Sequence, residues 1–196
     1  MYASAFRVPT LLAMLSVLTP VSLKSLAQDG GRMESRHVSQ LKYITAAKVS
    51  PDGEYVALLR SVPRQPLKDS NGPAWSELHV VDVATGRQRA FVSGEVSIGS
   101  PAWSPDSESI YYTAKRNGDD QTILYRIPVD GGESVRVFQH ATSMGRFAIA
   151  PDGRRVAFVA KDETGKSEKE LSEKGFDQEI YEEDWKTAYV WIAKID

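Results

Sequence analysis

Val49-Ser50-Pro51-Asp52-Gly53, Trp103-Ser104-Pro105-Asp106-Ser107 and Ile149-Ala150-Pro151-Asp152-Gly153 are three versions of one phrase, and each leads into a hydrophobic run. Pro presets φ for the first central position of a tight turn, Asp tolerates the second, and Gly accepts the positive φ that closes a hairpin. Each copy therefore joins two antiparallel strands. The prolines lie 54 and 46 residues apart, a spacing that belongs to four-stranded propeller blades rather than to helical hairpin repeats.

The sequence around the turns fills in those strands. Tyr43 to Val49 precedes the first turn and Tyr55 to Ser61 follows it, both apolar with β-branched or aromatic positions. Ser109 to Lys115 follows the second turn and Arg155 to Lys161 the third. A second hairpin completes each of the first two repeats. In the first, Glu77 to Val83 turns at Ala84-Thr85-Gly86 into Arg87 to Val92; in the second, Ile123 to Val129 turns at Asp130-Gly131-Gly132 into Ser134 to Phe138. The first repeat is longer because its loop, Val62 to Ser76 with three prolines and Asn71-Gly72, outruns Arg116 to Asp120 in the second. The third repeat reaches only a third strand, Ala188 to Ile195.

The expected fold class is therefore all-β. It is a partial β-propeller of two complete four-stranded blades, about residues 41–93 and 97–139, and most of a third, about 143–196, with an acidic insertion at 162–187. A blade stack that stops part-way leaves an open edge, so the chain reads as the N-terminal part of a longer protein.

Arg7 precedes an apolar run from Val8 through Leu18, and Ser25-Leu26-Ala27 supplies a small-x-small cleavage site before Gln28. Residues 1–27 thus read as a signal peptide and 28–37 as the start of the mature chain. The alternative, an uncleaved anchor, is disfavoured by the short apolar core and by Pro20, so no stable membrane span is expected after cleavage. Export, to the periplasm or outside the cell, agrees with the absence of cysteine, because stability then rests on β packing and not on disulfides. The formal net charge of −2 becomes about −4 once Arg7 and Lys24 are removed, and nothing in the sequence argues for nucleic acid, whose partners show basic patches.

Little here reads as catalytic chemistry. There is no Gly-x-Ser-x-Gly elbow. His37, His79 and His140 read as ordinary surface or edge residues, and no His and carboxylate spacing suits a metal. No catalytic residue, metal or cofactor is expected. Asp52, Asp106 and Asp152 are turn-formers, Trp103 and Trp191 blade core, and Gly131-Gly132 a hairpin rather than a phosphate loop. Arg60, Arg64 and Arg116 are candidates to face a central channel and meet a substrate carboxylate.

The Ser-Pro-Asp-Gly turns resemble the PD40 repeats of TolB-like propellers and of the propeller domain of the prolyl oligopeptidase (S9) family of serine peptidases, which includes dipeptidyl and acylaminoacyl peptidases. Lys174-Gly175-Phe176-Asp177 and Ile180 to Trp185, followed by Val190-Trp191-Ile192, are similar to a stretch in exported bacterial members of that family, and favour the peptidase. The resemblance implies a propeller capping a C-terminal α/β-hydrolase domain that holds the Ser, Asp and His. That domain is absent from these residues, so the chain as given is expected to be inactive, with peptide substrate met through the missing domain. The alternative is a TolB-like periplasmic propeller, a scaffold for a protein partner with no catalysis.

The resemblance also implies a substrate site. In the family's dipeptidyl peptidases a Glu pair on a propeller insertion holds the peptide's free amino terminus, and two adjacent carboxylates suit an ammonium. Carried over, Glu182 and Glu183 are the amine anchors, with Tyr181 and Trp185 as wall; Asp184-Trp185 after the pair departs from that pattern. The other reading is an acidic, solvated insertion pinned by its Tyr and Trp. Ser167-Glu168-Lys169-Glu170 reads as a capping box opening a short helix that Gly175 stops.

Overall fold

Each Pro-Asp turn folds as a hairpin, and the strands it joins build meandering antiparallel sheets. In the computed structural model, β1 (Tyr43–Val49), β2 (Tyr55–Val62), β3 (Trp75–Asp82) and β4 (Gln88–Val92) form the first sheet in sequence order. β5 (Ile98–Trp103), β6 (Ser109–Ala114), β7 (Ile123–Pro128) and β8 (Val135–Phe138) form the second in the same way. β9 (Phe147–Ile149), β10 (Arg155–Lys161) and β11 (Ala188–Lys194) form a third with β10 in the middle. The structure describes residues 35–116, 118–163, 165, 170–171, 173–176 and 187–195, which belong to one compact unit, Glu34–Asp196. The expected signal peptide and most of the acidic insertion lie outside the described residues.

The all-β class holds, and several local details differ from expectation. A five-residue helix, α1 (Ser35–Ser39), precedes β1. The loop expected to reach Ser76 is shorter, because Trp75 and Ser76 already pair with Val62 and Ser61 at the start of β3. Gly175, with φ of +85°, ends a helical turn as expected: Phe176 N–H closes on the Leu171 carbonyl at 3.0 Å.

The turn chemistry repeats atom for atom in the first two copies. Ser50 Oγ–H donates to Asp52 Oδ1 at 2.5 Å and accepts Tyr55 N–H at 2.9 Å, while Asp52 Oδ1 accepts Glu54 N–H at 3.0 Å. Ser104, Asp106, Glu108 and Ser109 repeat the set at 2.5, 3.0 and 2.9 Å. The Ser hydroxyl, followed by the backbone N–H, holds both carboxyls below the usual carboxylate range. In the third copy Ala150 has no hydroxyl, and Asp152 accepts Arg154 N–H at 3.0 Å and pairs with Arg155 at 3.0 Å. Ser107 stands where the other copies have Gly, at φ of +64°, and its Oγ accepts Asp52 N–H at 3.1 Å, joining one turn to the next.

Side-chain alternation decides what each sheet covers. β2 is buried at every second residue, so one face of the first sheet is packed. β6 is buried at nearly every position, because the second sheet is covered on both faces. Ile110 and Tyr112 join Leu59, Leu78 and Val80 in one core cluster, while Tyr111 and Leu124 join Val156, Phe158 and Ala160 in another. Trp103 is core as expected: it stacks on Tyr55 with centroids 6.3 Å apart, and its Nε1–H donates to the Lys48 carbonyl at 2.8 Å. Trp191 departs from expectation. It lies on β11, an edge strand among the described residues, touches His140 at 4.9 Å between ring centroids, and keeps 36% of its surface exposed.

Candidate channel site

The first strands of the three sheets, β1, β5 and β9, approach one another and enclose an open cavity of about 630 Å³. Its wall is largely apolar, with Ala46 from β1, Pro101 and Trp103 from β5, and Phe147 from β9. The ionisable residues lining it are Lys48 and Arg146, both cationic, and among the described residues neither has a carboxylate partner. An apolar wall bearing charge of one sign focuses an attractive potential on anionic groups. The bond from Trp103 Nε1 to the Lys48 carbonyl fixes β5 against β1 and thereby sets the width of this wall.

The arginines singled out from the sequence go elsewhere. Arg60 donates from Nε and Nη2 to Glu77 Oε2, at 3.2 and 2.7 Å, directly across the β2–β3 ladder. Arg64 lies 3.5 Å over the Trp75 ring and donates to the Pro73 carbonyl at 2.7 Å, which ties the loop between β2 and β3 to itself. Arg116 lines a separate cavity with Lys115 and Arg136. None of the three lines the channel cavity, since Arg60 alternates to the opposite face from Leu59, which does. Glu182, Glu183, Tyr181 and Trp185 lie outside the described residues.

One of the histidines also corrects the sequence reading. His79 is not surface or edge but buried, 4% exposed, with Nε2 at 3.1 Å from Glu77 Oε2. His140 packs edge-on against Phe158 with centroids 5.3 Å apart, and its Nδ1 accepts Thr142 N–H at 3.2 Å. Glu77 itself drew no attention in the sequence. Burial alone would raise its pKa, but the Arg60 guanidinium, the Gly94 N–H at 3.1 Å and His79 reverse that effect and hold it at about 2. The cluster is a structural clasp between β2, β3 and the chain leaving the first sheet.

No family model matches the chain. An uncharacterised peptidase of Bacillus subtilis strain 168, YuxL, is 25% identical to it over 130 residues, which is 66% of this chain and 19% of that protein. The Tol-Pal system protein TolB of Anaeromyxobacter sp. strain K is 32% identical over 90 residues, 44% of this chain and 19% of that one. The solved acylaminoacyl peptidase of Pyrococcus horikoshii superposes with a TM-score of 0.59 at 12% identity, over 80% of this chain and 24% of its own. The chain thus resembles peptidase and TolB propellers. At such identity the structural likeness carries the fold alone. The chain spans about a fifth of the length of these two curated relatives. Among the described residues no helix is long and apolar enough to cross a membrane.

Proposed function

We propose that this chain is the N-terminal propeller portion of an exported serine peptidase of the prolyl oligopeptidase family, gating and orienting peptides for a C-terminal α/β-hydrolase domain. The observation that carries the reading is the convergence of β1, β5 and β9 on one cavity whose apolar wall bears two cations, Lys48 and Arg146, without a carboxylate partner among the described residues. Such a wall accepts an extended peptide through its apolar side chains and draws in a carboxylate end or acidic side chain. The peptidase relative in Bacillus subtilis, matched over two thirds of the chain, supports it. In this reading residues 1–27 direct export, and Glu182 and Glu183 hold the amino terminus of the peptide.

The 32% identity to a TolB over 90 residues favours a second reading, a binding propeller with a protein partner and no chemistry. Gating has its own test. The complete gene product, given peptides of graded length, should cleave short ones and slow steeply on folded proteins too wide for the channel. Equal rates on both would remove the gate.

A further inference from the structure

A second cavity, of about 430 Å³, lies away from the channel strands. Lys115 and Arg116 reach it from the loop after β6, Tyr125 from β7, Ser134 and Arg136 from the outermost part of the second sheet, and Glu95 from the segment joining the first sheet to the second. Three cations thus face one exposed carboxylate, in a chain whose net charge is −2.

The one internal carboxylate nearby pairs with Arg136 alone. Asp119 is 1% exposed at its side chain and fully engaged: Oδ1 accepts Arg136 Nη2 at 2.5 Å, and Oδ2 accepts Tyr125 O–H at 2.6 Å and Arg116 N–H at 2.8 Å. It fixes Arg136 against the wall and leaves Lys115 and the Arg116 guanidinium without a carboxylate partner among the described residues. Arg116 is steadied instead by the Tyr125 ring, 5.3 Å from its Cζ. Ser134 Oγ accepts Tyr112 O–H at 2.7 Å, so its own hydrogen remains for another acceptor. Cations gathered at one opening repel each other unless an anion is shared between them, and fixed guanidinium and hydroxyl donors are the groups that recognise an oxyanion.

We propose that this cavity is an oxyanion-binding site, taking a carboxylate or phosphate group borne by a small ligand or peptide. Lys115 and Arg116 supply the charge, Ser134 a hydrogen bond, and Asp119 is a positioning residue that holds Arg136. The site goes beyond the channel reading and does not depend on it.

The test titrates the full chain by calorimetry at low salt with succinate and with inorganic phosphate, and with N-acetylglycinamide as a neutral control. Saturable binding of either anion is expected, weakening as salt is raised, with none of the neutral compound. Lys115→Gln plus Arg116→Gln should weaken it by roughly tenfold or more, the worth of a lost charge-assisted hydrogen bond. Both side chains are exposed, so the melting temperature should not move. Lys42→Gln plus Lys68→Gln, exposed lysines that line neither cavity, should leave the affinity unchanged, which separates this site from a general loss of positive charge. Preference for succinate points to a carboxylate ligand and preference for phosphate to a phosphorylated one. Absence of saturable binding by both anions, or equal binding by the Lys115 and Arg116 variant, overturns the proposal.

Discussion

Replacing Glu77 by Gln keeps the volume of a buried side chain and removes its charge. The Glu77 carboxyl has a pKa of about 2 in the folded chain against an ordinary value of 4.5, because Arg60, Gly94 N–H and His79 together outweigh the effect of burial. The folded state therefore binds this proton more weakly than the unfolded state does. Its contribution is fully present above pH 4.5 and is lost as pH falls from there towards 2. The shift corresponds to roughly 3 kcal/mol, which matches the ~3–5 kcal/mol expected when one partner of a buried ion pair is removed. Urea unfolding of the parent and of Glu77→Gln, followed from neutral pH to about 2, measures the difference. The account expects a gap of about 3 kcal/mol near neutrality that closes progressively below pH 4.5. A gap of the same size at every pH would refute the reasoning, since it would trace the loss to packing and not to charge.

Three other outcomes follow from the same structure. Trp103→Ala removes the Tyr55 stack and the bond to the Lys48 carbonyl and should cost about 3–5 kcal/mol in chemical denaturation; a cost under ~1 kcal/mol would contradict its place in the core. Ala150→Ser supplies the hydroxyl that the third turn lacks and should raise stability by roughly 0.5–1 kcal/mol, and an unchanged or lowered unfolding midpoint would count against the turn mechanism. In the complete protein, Glu182→Gln plus Glu183→Gln should raise KM for free-amine peptides and spare N-blocked ones, so identical kinetics on both substrates would end the amine-anchor role.

Much of the fold was legible because it is written locally. Pro, Asp and Gly set the turn dihedrals from within four residues, and runs of apolar, β-branched and aromatic residues marked β2, β6, β7 and β10 close to their observed limits. What the sequence hid depends on pairing partners. Arg60 looked like a channel residue until the β2–β3 register set it against Glu77, 17 positions away. His79 looked peripheral for the same reason. Lys48 and Arg146 were missed because alternation tells which face a residue takes but not what lies opposite, and the opposite wall comes from strands about 50 or 100 residues distant. Trp191 was read as core from its apolar run, yet β11 is an edge strand among the described residues and leaves it half-covered.

The central claim is that these sheets are the propeller of a serine peptidase. The most direct measurement is labelling of the complete gene product with a fluorophosphonate probe, followed by mapping of the modified residue. The account predicts one modified serine, in a Gly-x-Ser-x-Gly elbow beyond Asp196, with labelling abolished when that serine becomes Ala. A complete product that takes up no probe would contradict it and leave the binding propeller as the explanation.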